Sequence, residues 1–166
     1  MQDGIVFWLT GLSGAGKTTI GKLLYEKLKK EKSNVVFLDG DILREVFGSD
    51  LGYSLEDRRK SAMRNARLCK MLSDQGQVVV CCTISMFDEV RNWNRDNIKL
   101  YKEIYLQVSE DILRARNQKG LYSGESLADL VGFGVNMEEP KNPDMLIVND
   151  GTFSVNDIVG KILRSI

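Results

Sequence analysis

Short, unbroken apolar runs alternate along this chain with longer stretches in which apolar residues return every third or fourth position. The first run, Ile5-Val6-Phe7-Trp8-Leu9, ends at a glycine-rich turn. Its lack of polar alternation suits a parallel strand buried on both faces rather than a strand with one wet side. Val35-Val36-Phe37-Leu38, Val78-Val79-Val80-Cys81-Cys82-Thr83, Glu103-Ile104-Tyr105-Leu106-Gln107-Val108 and Met145-Leu146-Ile147-Val148 repeat the pattern, so five buried strands are expected. Between them Ile20, Leu23, Leu24 and Leu28 recur at helical spacing, with Lys22, Glu26, Lys29 and Lys30 on the opposite face, and this helix should close near Ser33-Asn34. Further helices are expected over about 55–75 (Ala62, Ala66, Cys69 and Leu72 on one side), 87–100, 110–117, and a terminal stretch carrying Val155, Ile158, Val159, Ile162 and Leu163. Strands alternating with helices predict an α/β fold of three layers: a parallel five-stranded sheet with helices on both faces.

One stretch breaks the rhythm. Residues 118–140 carry Gly120, Gly124, Gly132 and Gly134 with weak periodicity, and Pro140 and Pro143 stand at or just beyond the end. A connection this long in a compact domain is read as a lid, with the glycines as hinges.

The 166 residues are 43% apolar, which suits one domain, 1–166, around a single sizeable core; no repeat, low-complexity segment or linker divides it. Lys plus Arg number 23 and so do Asp plus Glu, so the net charge is zero and a general affinity for nucleic acid or anionic membranes is not expected. No apolar run reaches the ~18 residues of a membrane span. The start, with Asp3 and no basic segment, is a poor signal peptide, so a cytoplasmic location is the expectation.

Two residue types narrow the chemistry. With no histidine in the chain, acid–base work falls to carboxylates, Lys, Tyr or Cys. Cys69, Cys81 and Cys82 lack C-x-x-C spacing and are read as buried, reduced thiols, with Trp8 and the Cys81-Cys82 pair placed in the core. Arg91, Arg95 and Trp93 could flank a ligand entrance, but the preferred reading is a solvated helix face with one aromatic anchor.

Gly11-Leu12-Ser13-Gly14-Ala15-Gly16-Lys17-Thr18 fits G-x-x-x-x-G-K-[ST] and lies directly after a strand and ahead of a helix, the context its mechanism requires. Glycines let successive N–H groups turn inward, the helix N-terminus adds partial positive charge, Lys17 can reach β and γ phosphates, and Thr18 can offer its hydroxyl to Mg²⁺. A ligand-free strand–helix turn would account for the glycines but for neither Lys17 nor Thr18.

Absences select among P-loop proteins. No N-K-x-D reads guanine, the nearest string being Asn117-Gln118-Lys119-Gly120, and the Val78 strand runs into Ile84-Ser85 instead of ending on a Walker B acid. The acidic pair lies in Asp39-Gly40-Asp41, followed by Ile42-Leu43-Arg44, at the carboxyl end of the second strand, where ligands sit in doubly wound sheets. One Asp can take a hydroxyl proton or hold metal-bound water, and the Arg can bind an anion. The alternative is an Asp-Gly turn with Asp41 as a helix N-cap.

These residues resemble the adenylylsulfate (APS) kinase family, whose members move the γ-phosphate of ATP to the ribose 3′-hydroxyl of adenosine 5′-phosphosulfate. The likeness is collinear from about Gly4 to Lys141 and includes Leu38-Asp39-Gly40-Asp41 with Arg44, Asp50-Leu51-Gly52-Tyr53-Ser54, Asp57-Arg58, Arg64 and Lys119-Gly120-Leu121-Tyr122. The resemblance implies ATP binding by Gly11, Ser13, Gly14, Ala15, Gly16, Lys17, Thr18 and Thr19, with Arg116 as a lid arginine near the adenine. It implies Asp41 as general base, Lys17 and Asp39 as its catalytic companions, and Mg²⁺ held through Thr18 and Asp39. Arg44 and Arg58 would grip the acceptor's 5′ anion, Tyr53 would stack on its base in place of the family's Phe, and Ser61, Ile84, Ser85, Lys119 and Leu121 would complete the acceptor site. The implied partners are small nucleotides, with a homodimer left open.

The departures concentrate on the acceptor side. Lys60, Ser61 and Met63 replace the family's Glu, acceptor-binding Asn and first Arg; Met86 replaces the Pro of Ile-Ser-Pro; Asn117 replaces a lid Asp; and Val131-Gly132-Phe133-Gly134 replaces Phe-Thr-Gly. One branch of the family, in bacterial capsule assembly, phosphorylates the 3′-hydroxyl of cytidine diphosphoramidate, and a pyrimidine acceptor would leave adenine-specific contacts without partners. The cytidine compound is the preferred acceptor and APS the alternative; a P-loop module without turnover and an RNA-acting kinase are the remaining classes.

Overall fold

The computed structural model describes residues 3–116 and 137–166. Its elements are β1 (Ile5–Thr10), α1 (Lys17–Glu31), β2 (Val35–Asp39), α2 (Gly40–Val46), α3 (Leu55–Asp74), β3 (Val78–Cys82), α4 (Asp88–Asn97), β4 (Tyr101–Gln107), α5 (Glu110–Arg116), β5 (Met145–Val148) and α6 (Val155–Leu163). Every strand pair is parallel and the order is β2-β3-β1-β4-β5.

Continuous apolar runs are sorted by the pleat into two cores, because successive side chains leave a strand on opposite faces. Phe7 and Leu9 of β1 join Val78, Val80 and Cys82 of β3 under Ile20, Leu24 and Leu28 of α1 and Ile158, Val159 and Ile162 of α6. Val6 and Trp8 join Val79 and Cys81 under Ala62, Ala66 and Cys69 of α3 and Val90 of α4. The adjacent cysteines therefore point to different layers, and all three thiols are buried and unpaired by disulfides.

The structure departs from the sequence expectation at three places. Helix α4, expected over 87–100, stops at Asn97 because Ile98 is extended and Leu100 already accepts a ladder bond from the Val6 N–H at 2.9 Å. Strand β5 is half-exposed rather than buried: Ile147 is 5% exposed but Leu146 and Val148 are 48% and 51% exposed, since β5 is the sheet's last strand. A seven-residue helix, α2, follows Asp39 directly, too short to show apolar periodicity.

Helix α1 lies on β3 closely enough that Gly21 is obligatory. A Cβ there would collide with Cys82 Sγ and stand 3.2 Å from Phe37 Cε2. The approach matters one turn earlier, where α1 begins with Lys17 and Thr18 above the carboxyl ends of the strands. Gly21→Val should cost about 1–3 kcal/mol by overpacking, a fall in melting temperature of roughly 2–12 °C at ~2–4 °C per kcal/mol, read by calorimetry; an unchanged melt would refute the close contact.

Candidate active site

The glycine-rich turn between β1 and α1 uses backbone conformations closed to most side chains: Gly14 has φ 83° and Gly16, the N-cap of α1, has φ 96°. Lys17 folds back over the turn, its Nζ donating to Gly11 O at 2.9 Å and Leu12 O at 2.7 Å, and it is 9% exposed. The ammonium is thus held against the loop, with Thr18 and Thr19 exposed beside it. Two residues brace the loop from outside. Asn149, just past β5, donates from Nδ2 to Ala15 O at 2.8 Å, and Arg116, ending α5, donates to Asn149 O at 2.7 Å and Gly14 O at 3.4 Å. The reading of the chain missed Asn149; a polar residue immediately after an apolar strand was the available signal.

The second half of the site grows from the end of β2. Asp39 is 9% exposed; Oδ2 accepts from the Thr18 hydroxyl at 2.8 Å and Oδ1 accepts from the Asp41 N–H at 3.0 Å and the Ile42 N–H at 3.5 Å. Asp39, not Asp41, is therefore the N-cap of α2, which corrects the alternative reading of the Asp-Gly turn. Asp41 is exposed in the first turn of α2 and lines an adjoining cleft.

That cleft has a volume of about 650 Å³ including its open mouth. Asp41, Arg44, Tyr53, Arg58, Ser61, Ile84 and Ser85 all line it, so the described acceptor-side candidates converge although they come from α2, α3, the loop ahead of α3 and the loop after β3. Asn65, Thr83, Phe87 and Met137 also line it and were not foreseen. Lys119, Leu121 and Asn117 lie outside the described residues, as does the expected lid up to residue 136.

Arginines organise the cleft's outer wall. The Arg44 guanidinium lies 4.5 Å from the Tyr53 ring centroid and donates to Leu51 O and Gly52 O at 3.1 and 3.0 Å. The Arg58 guanidinium lies 5.3 Å from the same ring, and its Nε donates to Tyr53 O at 2.8 Å. Both cations thus share the exposed Tyr53 ring. A bidentate pair, Arg64 with Asp50 at 2.9 Å, closes the loop below, and that guanidinium holds the Asp50 carboxyl under its usual range.

The inner wall is a turn, Thr83 to Met86, in which Ser85 adopts φ 32°. Thr83 and Ser85 hydroxyls bond each other at 2.8 Å, and Thr10 Oγ1 donates to Ile84 O. Of the departures from the family pattern, Ser61 and Met86 line the cleft, whereas Lys60 pairs with Glu56 at the surface at 2.7 Å and Met63 packs on the α3 core.

Of the expected solvated face with one aromatic anchor, Arg95 is exposed and Trp93 packs against the second core, but Arg91 is buried, at 3% exposure. Its guanidinium bonds Asp88 and the Glu138 carbonyl, reaches Ser85 O at 3.5 Å, and lies 4.0 Å from Glu103, while Arg95 reaches the same Glu103 at 3.3 Å. Burial pushes the Glu103 carboxyl up against the pull of both arginines. The clamp also seats residues 137–140, the end of the expected lid: the Glu138 N–H donates to Met86 O at 3.0 Å and Pro140 is buried. Burial, then the Glu139 carboxylate it bonds, push the Tyr105 phenol up to about 12. The cysteines offer no nucleophile: the Cys69 thiol and burial hold Cys81 protonated, and burial does so for Cys82, whose Sγ–H donates to Lys17 O at 3.2 Å.

Comparison with known proteins agrees with this layout. The family model for adenylylsulphate kinase matches residues 3–148. A cytidine diphosphoramidate kinase of Campylobacter jejuni is 40% identical over 164 residues, covering 97% of this chain and 95% of that protein. An adenylyl-sulfate kinase of Halothermothrix orenii is 35% identical over 166 residues, covering 98% and 89%. The Mycobacterium tuberculosis APS kinase, solved in complex with AMPPNP and APS, superposes with a TM-score of 0.88 at 29% identity, covering 99% of this chain and 98% of that one. A P-loop on β1, an acidic N-cap on β2 and a match along nearly nine-tenths of the sequence have one conclusion: this chain belongs to the adenylylsulphate kinase family and is a nucleotide kinase, a phosphotransferase with an alcohol acceptor.

Proposed function

We propose that the chain transfers the γ-phosphoryl group of ATP to the ribose 3′-hydroxyl of a small 5′-modified nucleotide, and that its acceptor is cytidine diphosphoramidate. The observation that carries this is the junction of the two half-sites: Thr18 of the phosphate loop bonds Asp39, and Asp39 caps the helix that presents Asp41 and Arg44 to the cleft. The 40% identity to a cytidine diphosphoramidate kinase supports the acceptor, as does the placement of Ser61 and Met86 on the cleft wall. APS is the second reading, favoured by the 35% identity to an adenylyl-sulfate kinase and the superposition on an APS-bound kinase.

The loop N–H groups and Lys17 hold the polyphosphate and counter charge developing on the transferred group. Asp41 orients the ribose hydroxyl and takes its proton as the O3′–Pγ bond forms and the bond from Pγ to the β,γ-bridging oxygen breaks, leaving ADP. Arg44 and Arg58 bind the acceptor's 5′ anion, releasing Tyr53 to face its base. Arg116 and Asn149 keep the loop in its binding shape. Thr18 Oγ1 and Asp39 Oδ2, hard oxygen donors 2.8 Å apart, fit a Mg²⁺ site of the kind that uses few protein ligands, and the ion would supply charge neutralisation on the β and γ oxygens.

Three measurements test this. In a side-by-side assay of ADP formation, cytidine diphosphoramidate should give the higher kcat/KM; the opposite ranking assigns APS, and ADP formation independent of any acceptor sinks the kinase reading. Lys17→Ala should lower kcat/KM by at least ~10²-fold, the scale of one preorganised charge contact, and near-normal turnover would remove Lys17 from the mechanism. Asp41→Asn should leave ATP affinity within about twofold while depressing kcat by ~10²–10⁴-fold, as expected for loss of a general base; an active variant would exclude that role.

A further inference from the structure

We propose, resting on the acceptor cleft inferred above, that Arg91 is a positioning residue for acceptor binding: from behind the wall it holds the turn after β3 and the segment beginning at Met137 in one arrangement. Arg91 is 3% exposed and does not itself line the cleft. Its partners lead to the lining on two sides. Nη1 reaches Ser85 O at 3.5 Å, and Ile84, Ser85, Met86 and Phe87 all line the cleft. Nη2 donates to Glu138 O, next to Met137, which lines it as well. The same Nη2 donates to Asp88, and Nε lies 4.0 Å from Glu103, so two carboxylates offset the charge.

A buried guanidinium is costly, and an apolar side chain would fill the same space at lower cost. What the guanidinium adds is a planar fork that bonds two segments at once, which neither an alkyl chain nor the point charge of a lysine reproduces. The turn needs holding. Ser85 sits at φ 32°, in the left-handed region that a residue with a side chain keeps only when its surroundings fix it. Its hydroxyl bonds that of Thr83 at 2.8 Å, and its carbonyl meets Arg91. The second segment is tied to the same place from outside. The Glu138 N–H donates to Met86 O at 3.0 Å, and the Glu138 carboxylate accepts from the N–H of Asp88, the first residue of α4, at 2.7 Å. Phe87, the N-cap of α4, has no side chain able to accept that bond, so Glu138 takes the part. Arg91 and Glu138 thus fasten Met137 and the Ser85 turn to the start of α4 and to each other. A preformed wall leaves less to be ordered when the acceptor arrives, so loosening it should weaken acceptor binding while ATP binding, which draws on the loop between β1 and α1, stays as it was.

Steady-state kinetics on the full chain, with cytidine diphosphoramidate and APS each offered as acceptor, measure this. Arg91→Lys keeps the charge beside Asp88 and Glu103 but loses the fork. With whichever acceptor wild type turns over, it should raise the acceptor KM by ~10-fold or more, the scale of one hydrogen bond to a charged group. Its KM for ATP should stay within about twofold of wild type, and kcat should fall less than the acceptor KM rises. Glu138→Ala, at an exposed position, should move the acceptor KM in the same direction, and it decides the matter if the lysine variant does not fold. Arg95→Ala removes another ion pair to Glu103 but bonds neither the turn nor residues 137–138, so it should leave the acceptor KM near wild type. An Arg91 that merely supports the fold would shift both KM values together, or lower the melting temperature with both KM values unchanged. Either of those results, or an equal rise of acceptor KM in Arg95→Ala, would overturn the role of Arg91 alone. Wild type that turns over neither acceptor would overturn the reading of the cleft as the acceptor site, and the role of Arg91 with it.

Discussion

The hydrogen bond from Thr18 to Asp39 joins two parts of the chain that arrive at the same edge of the sheet by different routes. Thr18 comes from the start of α1, which crosses β3, and Asp39 ends β2 on the far side of β3. Their meeting requires α1 to press onto the sheet, which Gly21 allows by giving up its side chain at Cys82. The same Asp39 carboxylate uses its second oxygen to start α2. One buried carboxylate thus fixes the position of the phosphate loop relative to the helix that carries Asp41 and Arg44, and a shift in it would move both halves of the site together.

Charge is balanced over the chain and sorted within it. Lys17, Arg44, Arg58 and Arg116 cluster around the loop and cleft, where anionic substrates would sit, and Asp39 and Asp41 stand between them. A second set, the buried Arg91 and Glu103 with the part-exposed Arg95, Asp88 and Asp144, has a different task. Buried ion pairs stabilise little in net terms, but breaking one leaves a charge stranded. Their effect here is geometric: they bind α4, β4 and residues 137–144 into one wall behind Ser85 and Met86. The absence of histidine is consistent with this division, since carboxylates and guanidinium groups cover both tasks.

Much of the fold was legible because its strands are buried and its longer helices amphipathic: β1, β3, α1 and α3 follow directly from their apolar spacing. The phosphate loop was legible because few chemistries need two glycines, a lysine and a hydroxyl at that spacing after a strand. Helix α2 was not, being shorter than two full periods of the pattern that would reveal it. Arg91 and Asn65 were misjudged or missed for one reason: polar residues in a helix look like a wet face unless it is known what the helix packs against. Asn149 was missed because its partner, Ala15, lies 134 positions away.

The amino-acid order by itself therefore determined the class of fold, the phosphate-binding loop and the kind of chemistry left open to a chain without histidine, because these depend on local spacing and on which side chains exist. Tertiary structure alone decided that Asp39 is the cap and Asp41 an exposed residue on the cleft, that Arg91 is interior, and that Asn65 is buried at the cleft wall. Those outcomes depend on distances between segments that only packing brings together. Burial and hydrogen-bond satisfaction are properties of neighbours in space, and the sequence names neighbours only along the chain.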